Sequence, residues 1–324
     1  MRAERPSRGR YGRRRTTRRI GAVALVVLAA VGWWPQTGTA QPAAGEFRRG
    51  SVQGRAYRLW VPEARAARGP LLVVALHGCW QTAEEFALGT RLNEAAGRRG
   101  LFVLYPVQDR RDNALRCWNW FSPENHRVGP GPSEIASILG VVREIQRQYT
   151  IGDSRLLVIG LSAGAFMAVN LACAAPDLVV GLGVTAGGPF RCAAGADAAL
   201  QCVRGRTGDA TAEATACRAG AGGRHLGLRA SLWHGEGDEV VSAANLPALL
   251  AMLALATGVA HPATESRQGA TVTVYRDPSG RPVLEGWLVA GMGHAWSGGD
   301  GRASHTYPTG PNATERILEV LLSQ

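Results

Sequence analysis

The chain has 324 residues, 46% of them hydrophobic and 19% charged, with a formal net charge of +11. All 36 basic side chains are arginine, and nine of them, with one glutamate, precede Ile20. Residues 1–40 thus carry +8 and the remainder about +3, which removes the electrostatic argument for a nucleic-acid partner; no DNA- or RNA-binding motif is present either.

The arginine-rich start is followed by an uncharged apolar run, Ile20 to Trp34, and by the small residues Gly38-Thr39-Ala40. That order reads as a signal peptide over residues 1–40, too short in its apolar part for a spanning helix. Thr17-Arg18-Arg19 resembles a twin-arginine signal, with Gly21 where a large apolar residue is expected. Residues 41–324 are enough for one large α/β domain. The expected location is secreted or periplasmic, with no stable membrane association once the leader is cleaved.

Arg55 to Val61 has strand character and ends at Pro62. Leu71 to Leu76 is a continuous apolar run, as in a strand buried on both faces. Thr82 with Glu85 predicts a capping box opening a helix to about Arg99. Leu101 to Tyr105 is the next strand, and a long loop centred on Cys117-Trp118-Asn119-Trp120-Phe121 follows it. Ser133 to Tyr149 places Ile135, Ile138, Leu139, Val142 and Ile145 on one helical stripe. Arg155 to Ile159 is a strand and Ala163 to Ala175 a helix stopped by Pro176, with Leu178 to Val184 the next strand.

Residues 190–227 are rich in Ala and Gly, hold three cysteines and show no clean period. They read as a disulfide-stapled excursion, either a lid over the site or a surface insertion. Strands follow at Leu228–Trp233, Thr271–Tyr275 and Val283–Val289, with helices at Ala243–Thr257 and Asn312–Leu322. Alternation of strands and helices predicts a mostly parallel sheet covered on both faces. All six cysteines lie after the leader, which suggests three disulfides in an exported chain. Cys79 with Cys117 is the expected pair, because both belong to loops at one end of the sheet; the other four stay open. No C-x-x-C pair exists, so neither a zinc nor a redox site is expected, and no cofactor.

Gly160-Leu161-Ser162-Ala163-Gly164 sits between a strand and a helix. This is the context in which G-x-S-x-G forms a nucleophile elbow, with the serine Oγ above the sheet edge. A serine needs a base to take its proton and a carboxylate to hold that base. In this architecture the acid and then the imidazole follow the serine, each after a strand. Asp238 meets the first requirement against the rivals Glu236 and Glu239. His294 meets the second against His305, with His225 and His261 read as surface residues. The developing oxyanion needs two N–H donors, expected from Ala163 and Cys79, with Gly78 allowing close approach and His77 as a structural hydrogen-bonding residue.

Leu76-His77-Gly78-Cys79-x-Gln81, Tyr105-Pro106-x-Gln108-Asp109, the Cys117 to Phe121 block, the serine elbow, His234-Gly235-x-x-Asp238 and Gly293-His294-Ala295-Trp296 resemble the poly(3-hydroxybutyrate) depolymerase family of esterases, related to feruloyl and acetylxylan esterases. The resemblance runs from about residue 50 to the end. It implies an α/β-hydrolase fold, the triad Ser162, Asp238 and His294, and an ester substrate: a small molecule, an oligomer or an amorphous polyester. It also implies that Trp118, Trp120 and Trp296 line the substrate cleft. Two features depart from the family pattern: Ala165 stands where a second glycine is usual, and the cysteine-rich excursion matches none of these family motifs. Extracellular depolymerases usually add a polymer-binding domain; the chain ends about thirty residues after His294, so soluble esters or short oligomers are expected over crystalline polymer. An acyltransferase or peptidase on the same scaffold, or a non-catalytic binding protein, are the competing readings.

Overall fold

The computed structural model describes residues 44–66, 71–151 and 155–323. The expected signal peptide lies outside the described residues. The chain opens with the hairpin β1 (Gly45–Val52) and β2 (Arg55–Pro62), turned by Gln53 and Gly54, both at positive φ. β3 (Leu72–Leu76) is buried at every position. The Thr82–Glu85 capping box then starts α1 (Ala83–Thr90). The single expected helix breaks at Arg91, which is left-handed at φ 53°, and α2 (Leu92–Gly97) follows. β4 (Phe102–Pro106) leads through the long loop and a 3₁₀ turn at Pro123–His126 to α3 (Glu134–Tyr149), capped by Ser133.

The elbow unit is β5 (Leu156–Leu161) and α4 (Ala163–Ala174), followed by β6 (Val179–Thr185). The excursion holds two helices, α5 (Ala196–Val203) and α6 (Ala210–Ala219). β7 (Arg229–Gly235), α7 (Asn245–Thr257), β8 (Ala263–Arg267), β9 (Ala270–Arg276) and β10 (Pro282–Val289) come next. Two short strands, β11 (Trp296–Ser297) and β12 (Thr306–Tyr307), pair with each other before α8 (Ala313–Leu322).

The main sheet has ten strands in the order β1-β2-β4-β3-β5-β6-β7-β10-β9-β8. Its six central strands, from β4 to β10, are parallel, with antiparallel strands at both margins. Paired residues of parallel strands face the same side. Gly183 of β6 makes room for Ile317 of α8, and Gly286 of β10 makes room for Leu250 of α7. Gly183 pairs with Ser231 and Gly286 with Leu232, so the two glycines have opposite parity. α7 and α8 therefore cover opposite faces, which explains why the central strands read as unbroken apolar runs.

Three disulfides are formed: Cys79–Cys117, Cys173–Cys217 and Cys192–Cys202. The first is the expected pair. The last closes a small loop inside the excursion. Cys173 lies ten residues beyond Ala163, about 15 Å along α4. The bond to Cys217 therefore docks α6 at the far end of that helix from Ser162, which corrects the reading of this half of the excursion as a lid. Among the described residues no helix is long and apolar enough to cross a membrane.

Candidate active site

Ser162 follows β5 directly and holds φ 57°, ψ −124°, a conformation that costs a non-glycine residue of order 1–3 kcal/mol. The surrounding chain fixes it. Its N–H donates to Thr185 O at 2.9 Å, and its carbonyl accepts from Ala165 N at 2.8 Å and Phe166 N at 3.1 Å. A Cβ on Gly160 would strike the Gly164 carbonyl, and one on Gly164 would strike the Leu76 and His77 carbonyl oxygens. Both glycines of the motif are steric requirements of strand and helix meeting this closely. Ala165 is accommodated because its Cβ faces Gly187, where any side chain would stand 3.0 Å away.

Leu161 pairs with Thr185, Thr185 with Trp233, and Trp233 with Trp287. These four residues stand level across the sheet: β5 and β6 end there, and β7 and β10 run two residues further. At about 4.8 Å per strand, the end of β10 lies about 14 Å from that of β5. An imidazole from the chain after β10 can reach the serine only if that chain folds back across the sheet, and the segment after β10 does run back. Gly237 N donates to Met292 O at 2.9 Å, and Gly235 has no Cβ because the Met292 and Gly293 carbonyls occupy its place. Beyond His294, Trp296 packs edge-on against Phe86 of α1, with centroids 5.7 Å apart. Asp300 N then donates to Gly89 O at 2.9 Å, and Gln81 Nε2 reaches Ser304 O at 3.4 Å. The 290–306 segment is a strap from β10 to the loop after β3, and β5 lies between those anchors.

Within the strap, His294 Nδ1 lies 2.8 Å from Asp238 Oδ2. A carboxylate only accepts, so Nδ1 carries the proton and Nε2 is left as the basic nitrogen. Asp238 Oδ1 accepts from Val240 N and Val241 N, each at 2.9 Å. Burial alone would raise the Asp238 pKa; hydrogen bonds from His234, His294 and Val241 outweigh it and hold the carboxyl well below the usual range. Glu236 and Glu239 are exposed and take no part in this contact. His305 lies edge-on to His294 with ring centroids 6.1 Å apart. Ser162 Oγ has no hydrogen bond among the described residues.

The 77–81 turn abuts the serine. A Cβ on Gly78 would stand 3.5 Å from Ser162 Cβ and 3.3 Å from Gln81 Oε1. Gln81 Oε1 accepts the Gly78 N–H at 2.9 Å. Neither the Cys79 nor the Ala163 N–H has an acceptor among the described residues, so two amides are left for an incoming oxygen. Trp80, at φ 65°, is 56% exposed, and its N–H donates to Leu115 O at 2.7 Å; Leu115 is also exposed.

The three tryptophans behave differently from the cleft lining that the resemblance implies. Trp118 is fully buried and donates its Nε1–H to His77 O at 3.1 Å. Trp296 is 1% exposed and donates to Thr314 Oγ1 at 2.9 Å. Both are internal props of loops. Trp120 keeps 7% of its surface and stacks on Phe166 at 4.1 Å. Gln81 and Gln108 entered the sequence reading only as letters of the family motifs, and Glu134 had no signal at all; the three bind the loops together.

A mostly parallel sheet that presents a serine elbow at its carboxyl edge, with a carboxylate and an imidazole brought from later strands, is the arrangement of the α/β hydrolases. The acetyl xylan esterase from Aspergillus awamori shares the fold, with a TM-score of 0.68 over 77% of this chain and 94% of its own, at 21% identity. The family model described as esterase PHB depolymerase matches residues 55–275, and the chain belongs to that family.

The poly(3-hydroxyalkanoate) depolymerase C of Paucimonas lemoignei is 34% identical over 72% of this chain and 56% of its own length. The poly(3-hydroxybutyrate) depolymerase of Ralstonia pickettii is 30% identical over 73% of this chain and 50% of its own. The feruloyl esterase B of Talaromyces funiculosus is 26% identical over 73% and 68%. The chain thus spans about half the length of the two depolymerases.

Proposed function

We propose that this chain is an exported serine esterase that works through an acyl-enzyme. Ser162 Oγ attacks the ester carbonyl while His294 Nε2 takes its proton, and Asp238 holds the imidazolium that forms. The Cys79 and Ala163 amides receive the oxyanion. The alcohol leaves with the proton from His294. Water, deprotonated by the same nitrogen, then releases the acid and frees the serine. The observation that carries this reading is the Asp238–His294 hydrogen bond, together with the nucleophile-elbow conformation of Ser162.

The substrate class is hydroxyalkanoate polyester or oligomer and short-chain esters. It rests on the two depolymerases and on the exposed Trp80 and Leu115 beside the Cys79 turn, which suit an apolar ester. Export is supported by the leader and by three disulfides, which persist in an oxidising compartment.

Ser162→Ala is expected to reduce p-nitrophenyl butyrate hydrolysis by about 10⁴-fold or more with an unchanged melting temperature. Retained turnover in that variant ends the proposal. A panel of hydroxybutyrate oligomers, acetylated xylan and feruloyl esters then separates the polyester reading from the carbohydrate-ester one that the feruloyl esterase relative suggests.

A further inference from the structure

His77 is fully buried, and both ring nitrogens are engaged. Gln108 donates its backbone N–H to His77 Nε2 at 3.2 Å. A backbone N–H can only donate, so Nε2 is the acceptor and the proton sits on Nδ1. Nδ1 in turn lies 2.8 Å from the Gly78 carbonyl oxygen, to which it donates. His77 therefore has no free nitrogen with which to act as a base.

The Gly78 carbonyl and the Cys79 N–H belong to one planar peptide unit and point in opposite directions. Pinning the carbonyl toward a buried imidazole leaves the N–H aimed outward. We infer that His77, braced by Gln108 and Glu134, is a positioning residue that aims the Cys79 amide at the oxyanion. This role rests on the serine-esterase reading above.

The brace runs deep. Gln108 is itself fully buried, and its side-chain amide donates to Glu134 and to Cys117 O at 3.1 Å. Glu134 also accepts the backbone and side-chain N–H groups of Asn119, each at 2.8 Å. Cys117 is bonded to Cys79, so the network holds both the carbonyl and the side chain flanking the amide. Burial pushes the His77 pKa down to about 4, which keeps the imidazole in its neutral, one-donor form at working pH.

The test compares His77→Asn with His77→Ala and His77→Gln. Asparagine places an amide N–H near the position of Nδ1, so it can hold the Gly78 carbonyl; alanine cannot, and glutamine places its amide near Nε2 instead. Removing one oxyanion donor outright costs about 10²–10³ in kcat. The Ala and Gln variants are expected to lose about 30- to 100-fold in kcat for p-nitrophenyl butyrate with KM within about twofold. His77→Asn is expected to recover most of that loss.

Equal kcat values in the Asn and Gln variants overturn the inference, as does a loss that follows melting temperature alone. Where His77→Ala does not fold, the Asn–Gln comparison decides. Fluorophosphonate labelling of Ser162 in the wild type keeps the two questions apart. An unlabelled serine sinks the esterase reading, whereas a labelled serine with no Asn–Gln difference sinks only the role of His77.

Discussion

Ser162 and its two glycines show how little freedom a single backbone position has at the site. Gly164 lies against two carbonyl oxygens of the strand that precedes the Cys79 turn, so any side chain there drives helix and strand apart. Gly164→Ala is expected to destabilise the fold by about 3 kcal/mol and to lower kcat, measured by urea denaturation and ester hydrolysis. The strand–Ser162–helix turn and the Asp238–His294 contact were legible because the proposed chemistry demands those residue types after strands in a fixed order. The tryptophans were not. Trp118 and Trp296 carry the most recognisable letters of their motifs, yet each is spent on an internal hydrogen bond, and sequence cannot tell a buried indole from a cleft-lining one. His77 was legible as a hydrogen-bonding residue, but not as one whose two nitrogens serve different partners.

At the level of elements, capping signals and apolar runs fixed most boundaries. The Thr82–Glu85 box opens α1, and Asn312 caps α8 by accepting from Glu315 N at 3.1 Å. The polar margin strands β1 and β8 escaped because they carry few apolar residues and no buried face. The excursion lacked a readable period, yet α6 packs through Ala214, Cys217 and Glu213.

Glu213 is the costly member. Burial pushes its carboxyl up to about 7, with one hydrogen bond, from Gly208 N at 3.0 Å, opposing the shift. The unfolded chain ionises this group near 4.5, so stability falls as pH rises from there to about 7 and then levels off. Glu213→Gln keeps the acceptor for Gly208 without the charge. It is expected to gain about 1–2 kcal/mol at pH 8, discounted for residual solvent, and almost nothing at pH 4.5. Urea titrations at the two pH values check this, and an equal gain at both contradicts it.

Across the whole sheet, the site depends on register. Leu161, Thr185, Trp233 and Trp287 stand level across four strands, and the strap after β10 runs back across them to α1. The mostly parallel order was legible from alternating strands and helices; the return of the strap to α1 was not, because Gly89–Asp300 and Gln81–Ser304 are contacts between segments over 200 residues apart. The Cys79–Cys117 bond works at the same scale, closing 38 residues between the turn beside Ser162 and the loop after β4. Replacing both cysteines by serine is expected to cost about 3–4 kcal/mol and to reduce kcat about tenfold while Ser162 still labels. Thermal melts and steady-state kinetics on the purified double variant test both numbers.

Under the proposed export and mechanism, that covalent tie would act as a safety catch. A chain still in a thiol-rich compartment would keep Ser162, Asp238 and His294 but leave the Cys79 turn untethered, and oxidation would complete the turn.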